Sequence, residues 1–327
     1  MILVTGATGI VGSQIVRDLI QNKYTVRAIF RATSDTSWLS DIHDSIEWAE
    51  ADILDLPSLE TAFEGVSHVV HCAAVVSFDN SNDQLMNRVN VEGTKNLLAL
   101  SEKYKIKKFV HISSVAALGR SSNNSLITEE AKWVQSSLNT AYAISKYQSE
   151  LEVWRAQEEG LPVVILNPSV VIGPGPWTNS SLNLFKHVKD GSPFYPIGSV
   201  NCVDVRDVSE AALKLVANEV EGERFILNGE MITYKSFFGL VAKAMNKKAP
   251  SIKINPSLAI FVASLLKIVR ALTGFKTNIT REAVILSQLN ILFSSKKAKQ
   301  VLGINFRPVE ESVTWTCQQI ADKTSEH

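Results

Sequence analysis

The hydrophobic positions in the first half of the chain follow two alternating patterns. Short apolar runs stand at Ile2–Val4, Thr25–Phe30, Ile46–Ala51, Val66–Ala74, Phe109–Ile112 and Val163–Leu166. Between them apolar residues recur at helical spacing. Ile10, Val11, Ile15, Val16, Leu19 and Ile20 form one stripe, and Leu85–Leu100 and Tyr142–Glu159 read as further helices. Strands alternating with helices specify βαβ units and a parallel sheet. Strands that are apolar almost throughout suit burial on both faces. The pattern predicts an α/β fold with a doubly wound parallel sheet.

Regularity decays after Pro168. Gly173-Pro174-Gly175-Pro176 is a loop by its breakers. Asp207–Asn218 reads as a helix, with Asp207 and Glu210 spaced as a capping pair. Phe225–Leu227 is a late strand candidate, and residues 230–327 are mostly helical in pattern. The predicted division is a main domain over 1–172, to which 200–229 returns. A smaller, mostly helical lobe is predicted from 173–199 and 230–327. The last residues, Asp322–His327, are expected to fray.

Composition narrows the classes. Of 327 residues, 45% are hydrophobic and 20% charged, which excludes wholesale disorder. Lys plus Arg and Asp plus Glu are 33 each, for zero formal net charge. The basic footprint of a nucleic-acid binder is missing at whole-chain level, so no nucleic-acid partner is expected. Cys72, Cys202 and Cys317 form no Cys-x-x-Cys pair and read as reduced packing residues, in keeping with a cytoplasmic protein. No signal peptide is visible at the start. The most membrane-like run, Leu258–Leu266, has nine apolar or small residues before Lys267. That is short of the ~20 needed to span a bilayer. The stretch to Leu272 is expected to pack in the small lobe or line an apolar pocket, with contact to lipid left open. Six histidines show no metal-ligand spacing, so no metal is expected.

Candidate chemistry begins at Thr5-Gly6-Ala7-Thr8-Gly9-Ile10-Val11-Gly12, between the first strand and the first helix. Glycines at this spacing allow a tight turn, close approach of a pyrophosphate and packing of helix on strand. The N–H groups of the helix start then face the phosphates. Gly6, Thr8, Gly9, Ile10, Val11 and Gly12 are therefore candidate cofactor contacts, and the main domain reads as Rossmann-type and dinucleotide-binding. About 20 residues past such a loop, an acid binds the ribose hydroxyls and an arginine a 2′-phosphate. Arg31 stands there, at the end of the second strand. Its guanidinium matches phosphate geometry, so NADP is favoured, with NAD open. Asp52-Ile53 closes the third strand, where the carboxylate either accepts from the adenine amino group or caps a turn.

Tyr142 and Lys146 lie four apart on a predicted helix, and so share a face. A cation beside a phenol lowers its pKa from ~10 toward the range of a useful general acid. Around this pair stand Asp52, His71-Cys72-Ala73-Ala74, Asn90-Val91-Glu92-Gly93-Thr94, Ser113-Ser114 and the run Asn167–Gly175. With these motifs the chain, from Met1 to about Gly229, resembles an extended short-chain dehydrogenase/reductase, of the NAD-dependent epimerase/dehydratase family. The resemblance implies Tyr142 as the acid–base, Lys146 as its activator and ribose contact, and Ser114 as the hydroxyl that holds the substrate oxygen. Ser114 is preferred to Ser113 because the family's serine usually lies five before a glycine, here Gly119. The resemblance also puts Ala73, Ala74, Asn90, Pro168, Ser169 and Val170 around the cofactor.

Val26–Arg31 and Gly173–Pro176 are similar to the branch containing dihydroflavonol reductases and 3β-hydroxysteroid dehydrogenases. Val115-Ala116 stands where sugar-nucleotide dehydratases carry Asp-Glu, and Gly173-Pro174-Gly175 where epimerases often have Gly-Pro-Arg. The expectation is an NADP(H)-dependent oxidoreductase acting on a ketone, aldehyde or secondary alcohol. The alternatives are a nucleotide-sugar epimerase with tightly bound NAD and a non-catalytic dinucleotide sensor, a class that usually lacks the Tyr/Lys pair. A homodimer is left open. His71 and Cys72 read as packing residues, and Ser121–Ser125 as a polar loop.

Overall fold

The computed structural model describes residues 1–77, 82–119, 126–177, 181–255, 257 and 281–325. The Ser121–Ser125 loop and the Leu258–Leu272 stretch lie outside the described residues. The first half runs β1 (Ile2–Thr5), α1 (Ile10–Gln21), β2 (Val26–Phe30), β3 (Glu47–Glu50), α2 (Leu56–Ala62), β4 (His68–His71) and α3 (Asp83–Asn87). A π-turn over Arg88–Glu92 leads directly into α4 (Gly93–Lys103). Then follow β5 (Lys108–Ile112), α5 (Ala141–Glu158), β6 (Val163–Pro168) and β7 (Val170–Ile172). The second half comprises α6 (Leu182–Lys189), β8 (Phe194–Tyr195), β9 (Ser199–Asp204), α7 (Val205–Ala217), β10 (Glu223–Leu227), β11 (Glu230–Thr233), α8 (Tyr234–Ala244) and β12 (Ile252–Lys253). Helices Arg281–Leu286, Lys296–Leu302 and Val309–Ser325 complete the described chain.

Seven strands form one all-parallel sheet in the order β10-β6-β5-β4-β1-β2-β3. Its two faces are read off the strands residue by residue. Ile2 and Val4, Val110 and Ile112, and Val164 and Leu166 pack with Ile15, Val16 and Leu19 of α1 and Val208, Ala211 and Leu215 of α7. Leu3, Val69, Phe109, Val163 and Ile165 pack on the other side with Leu59 of α2, Leu97 of α4 and Val153 of α5. This is why the central strands are largely apolar: both pleats meet a helix layer, whereas the edge strand β3 carries exposed Glu47 and Glu50. Sequence order reverses between β1 and β4, and the carboxyl ends of these strands open the crevice in which such sheets bind ligands.

A second, three-stranded sheet joins β9 to β7 in parallel and to β11 antiparallel. Phe185 of α6, Phe237 and Val241 of α8, and Val313 and Ile320 of the last helix pack with it in a third cluster. Two expectations are corrected here. The cap of α7 is Asp204, whose carboxylate accepts the Arg206 N–H at 2.8 Å, rather than the pair Asp207 and Glu210. The Asp207 side chain is buried and engaged by the Arg307 N–H and guanidinium. The chain is helical to Ser325, with Cys317 and Ile320 in the core, so Asp322–Ser325 continue the helix, and Glu326 and His327 lie outside the described residues. Among the described residues no helix is long and apolar enough to cross a membrane.

Candidate active site

At the carboxyl end of β1 the chain turns through Gly6 at φ 64°, a conformation that glycine adopts without strain. A Cβ on Gly12 would sit 2.1 Å from the Gly6 oxygen, so α1 reaches the loop only because Gly12 lacks a side chain, and a Cβ on Gly6 would meet the Ala73 N–H at 2.7 Å. Gly9 is the N-cap of α1. It provides no side-chain cap, and the first turn carries no acid. The Gly9 N–H closes the turn on the Gly6 carbonyl at 3.0 Å, and the loop Gly6–Gly12 leads into the positive end of a helix whose first turn carries no acid. That helix start fits a pyrophosphate.

The loop is tied to the rest of the crevice by a buried polar chain. The Ala73 N–H donates to Thr5 Oγ1 at 3.2 Å, and Thr5 Oγ1 lies 2.7 Å from His71 Nδ1. His71 Nε2 lies 3.0 Å from Thr94 Oγ1, whose hydroxyl donates to the Asn90 carbonyl at 2.7 Å. The donors run one way, which assigns the proton of the ring to Nε2 and makes Nδ1 the acceptor of the Thr5 hydroxyl. His71 is 1% exposed, and burial pushes its pKa down to about 3. It is neutral wherever the protein is folded near neutral pH, and it acts as a strut rather than as inert packing.

Asn90 sits in the π-turn, a bulge type frequent at functional sites. Its Oδ1 accepts the Val75 N–H at 2.8 Å, and its Nδ2 donates to the Val75 carbonyl at 2.9 Å and to Ser145 Oγ at 3.0 Å. Asn90 therefore shapes the loop that carries Ala73 and Ala74, and it holds that loop to α5.

Thr140, two residues before Tyr142, caps α5 by accepting the Ala143 N–H at 3.2 Å. Lys146 is 3% exposed, and its Nζ donates to the Ile112 carbonyl at 3.0 Å. Burial pushes its ammonium down to about 8. Two residues beyond Ile112 lies Ser114, half-buried, whose Oγ accepts the Ala116 N–H at 3.2 Å and so keeps its hydroxyl proton available as a donor. Its neighbour Ser113 is buried and donates to Glu150 at 2.5 Å. The two serines have different partners: Ser113 donates to a buried carboxylate and Ser114 accepts a backbone N–H.

At the far end of the crevice Arg31 is exposed. Its N–H donates to Ser34 Oγ at 3.0 Å, in a turn closed by the Ser34 N–H on the Arg31 carbonyl at 2.7 Å. Asp52 Oδ1 accepts the Leu54 N–H at 2.9 Å, so it caps a turn as one of its two readings required, leaving Oδ2 for another donor. Ile53 is buried, and its side chain meets the position of a Gly93 Cβ at 2.5 Å. Pro168 pairs with Leu227, the Ser169 N–H donates to the Leu227 carbonyl at 2.9 Å, and Val170 pairs with Cys202. These three residues line the step from the main sheet to the second one. Cys72, Cys202 and Cys317 are free thiols, and burial pushes the Cys72 thiol up to about 12. Thr94 and Asn167 stood in the quoted motifs without an assigned role, and Glu150 is a polar member of the site that the sequence reading left out. The signal for Glu150 was its place four residues after Lys146, on the inner side of the same helix.

Comparison with known proteins agrees with this architecture. The model of the NAD dependent epimerase/dehydratase family matches residues 2–228. A Synechocystis sp. protein provisionally named dihydroflavonol 4-reductase is 31% identical over 320 residues, 95% of this chain and 91% of its own. Cinnamoyl-CoA reductase 2 of Medicago truncatula is 28% identical over 277 residues, covering 77% of this chain and 82% of that one. The crystal structure of gox2253 superposes with a TM-score of 0.84 at 33% identity over 98% of each chain. By the family match, the reductase relatives and the shared fold, the chain belongs to the NAD-dependent epimerase/dehydratase family, as an NAD(P)-dependent oxidoreductase of the extended short-chain type.

Proposed function

We propose that the protein is an NADP(H)-dependent enzyme that interconverts a small ketone or aldehyde and the corresponding alcohol, with Tyr142 as the acid–base. The observation that carries this reading is Lys146, a buried ammonium one helical turn from Tyr142. Its Nζ is fixed on the Ile112 carbonyl, two residues before Ser114.

When bound, the dinucleotide supplies or accepts the hydride. Ser114 donates a hydrogen bond to the substrate oxygen and orients it, keeping its own proton. Tyr142 gives a proton to that oxygen in reduction and takes it back in oxidation. Lys146 places a positive charge where it favours the phenolate form, which brings the phenol nearer to neutral pH. The glycine loop takes the pyrophosphate, Arg31 the 2′-phosphate and Asp52 the adenine amino group. Residues 173–199 and 230–327 form the substrate lobe. The names of the two reductase relatives favour carbonyl substrates with an apolar, aromatic body. The free thiols fit a reducing, cytoplasmic setting.

The test is NADPH oxidation against a carbonyl library, with nucleotide sugars run in parallel and their products identified. Carbonyl-dependent loss of NADPH is the expected result. Conversion of a nucleotide sugar to its epimer, with no net change in the dinucleotide, overturns the reading.

A further inference from the structure

Glu150 is an acid in the middle of α5, 1% exposed, and none of the roles above uses it. It stands one helical turn beyond Lys146 on the buried side of the helix. Its Oε1 accepts from Ser113 Oγ at 2.5 Å and from Asn167 Nδ2 at 2.5 Å, and its Oε2 lies 3.4 Å from Arg224 Nη1. These partners come from the end of β5, from β6 and from β10. A buried carboxylate is unfavourable unless donors meet it, and an apolar residue would fill such a site without that penalty. The acid instead organises what surrounds it. Asn167 Nδ2 also donates to the Ser114 carbonyl at 2.9 Å, and the Ser113 N–H donates to the Leu166 carbonyl at 2.8 Å.

We infer that Glu150 is a positioning residue for the reaction proposed above. Its carboxylate fixes the peptide that presents Ser114, through Ser113 and Asn167, and it supplies the negative charge beneath the Lys146 ammonium. This inference rests on the acid–base reading of Tyr142 and Lys146.

The charged and titratable groups that act on Lys146 are Glu150 on its own helix, His71 and Cys72 at the end of β4, and His111 on β5, and Tyr142 stands one turn before it on the same helix. Arg224 faces Glu150 from β10. Burial holds both histidines neutral and Cys72 as the thiol near neutral pH, so Glu150 is the countercharge among them. Burial raises the Glu150 carboxyl above the usual range, while Ser113, Arg224, Asn167 and Lys146 all draw it back toward the anion. Removing that anion lowers the pKa of the ammonium further, from about 8.

The experiment compares Glu150→Gln, Glu150→Asp and Tyr142→Phe with the parent enzyme, by NADPH oxidation with the best carbonyl substrate across neutral and alkaline pH. In Glu150→Gln, kcat is expected to fall by about 10- to 100-fold, as misplacement of a reacting group does. KM for NADPH is expected to stay nearly unchanged, and the alkaline limb of the kcat profile to move to lower pH. Glu150→Asp keeps the charge on a shorter stem, so its limb returns toward the parent while kcat stays reduced. A Glu150→Gln profile that keeps the parent limb overturns the inference, and so does an unchanged kcat. If Glu150→Gln does not fold, Ser113→Ala removes one donor and leaves the charge. A kcat reduced by about tenfold then supports the positioning role, and an unchanged one overturns it. Parent-like turnover in Tyr142→Phe reports failure of the acid–base reading itself, whatever Glu150 does.

Discussion

Asn90 Nδ2 donates to Ser145 Oγ at 3.0 Å, and Ser145 Oγ in turn donates to the Tyr142 carbonyl at 2.9 Å. The π-turn before α4 thus reaches the backbone that carries the proposed acid. Asn90→Leu keeps much of the side-chain volume and strands the Val75 peptide groups, a loss of ~1–3 kcal/mol for an unsatisfied buried group. We expect a lower urea midpoint together with weaker cofactor binding, because the loop of Ala73 and Ala74 loosens. An unchanged midpoint contradicts the bracing role.

Gly12 offers a test in which two effects have opposite signs. In an ordinary helix, Gly→Ala stabilises by ~0.5–1 kcal/mol. At Gly12 the added Cβ meets the Gly6 oxygen at 2.1 Å, a clash with backbone that cannot rotate away. Gly12→Ala is expected to destabilise the protein and to abolish dinucleotide binding in a fluorescence titration. A gain in stability with intact binding would contradict the geometry.

His71 makes the fold sensitive to acid. Its pKa is about 3 in the folded protein against ~6.5 in an unfolded chain. Between these values the unfolded chain binds a proton that the native state does not. The contribution of His71 is therefore complete above ~6.5 and is lost as pH falls toward 3, by ~1.4 kcal/mol per pH unit. Urea titrations at pH ~6 and ~5 are expected to show a shallower acid loss in His71→Gln than in the parent, by about that slope. Parallel losses in the two proteins would show that His71 takes up a proton without unfolding.

Arg31 is exposed just past the carboxyl end of β2, where we propose that it meets a 2′-phosphate. NADPH is expected to bind more tightly than NADH, and Arg31→Ala to erase most of the difference with little change in NADH affinity. Equal affinities in the parent protein would remove the assignment of Arg31 to a 2′-phosphate.

The periodic first half was legible because the central strands of the main sheet are covered by helices on both sides, so their apolar residues announce both faces. The second sheet was missed. Val170–Ile172, Ser199–Asp204 and Glu230–Thr233 are short strands that pair with partners distant in sequence, and Asn201 and Asp204 interrupt their apolar pattern. The Asp207–Glu210 spacing looked like a cap because a local motif was all the sequence offered. The partner of Asp207, Arg307, lies 100 residues away. The glycine loop and the Tyr/Lys pair are local motifs and were visible. Thr5, His71, Thr94 and Asn167 stood in visible motifs, but the bonds that join them are made by packing of strand ends and had no local signature, and neither had Glu150.

Replacing Tyr142 by Phe tests the central claim most directly, because it removes the phenolic oxygen and preserves the ring. A positioned general acid contributes ~10²–10⁴-fold, so turnover with the best carbonyl substrate is expected to fall by about that factor. NADPH affinity is expected to change little, whereas Lys146→Met is expected to weaken both turnover and affinity. Near-normal turnover in Tyr142→Phe, measured where hydride transfer limits the rate, would show that Tyr142 is not the acid and would contradict the account at its central residue.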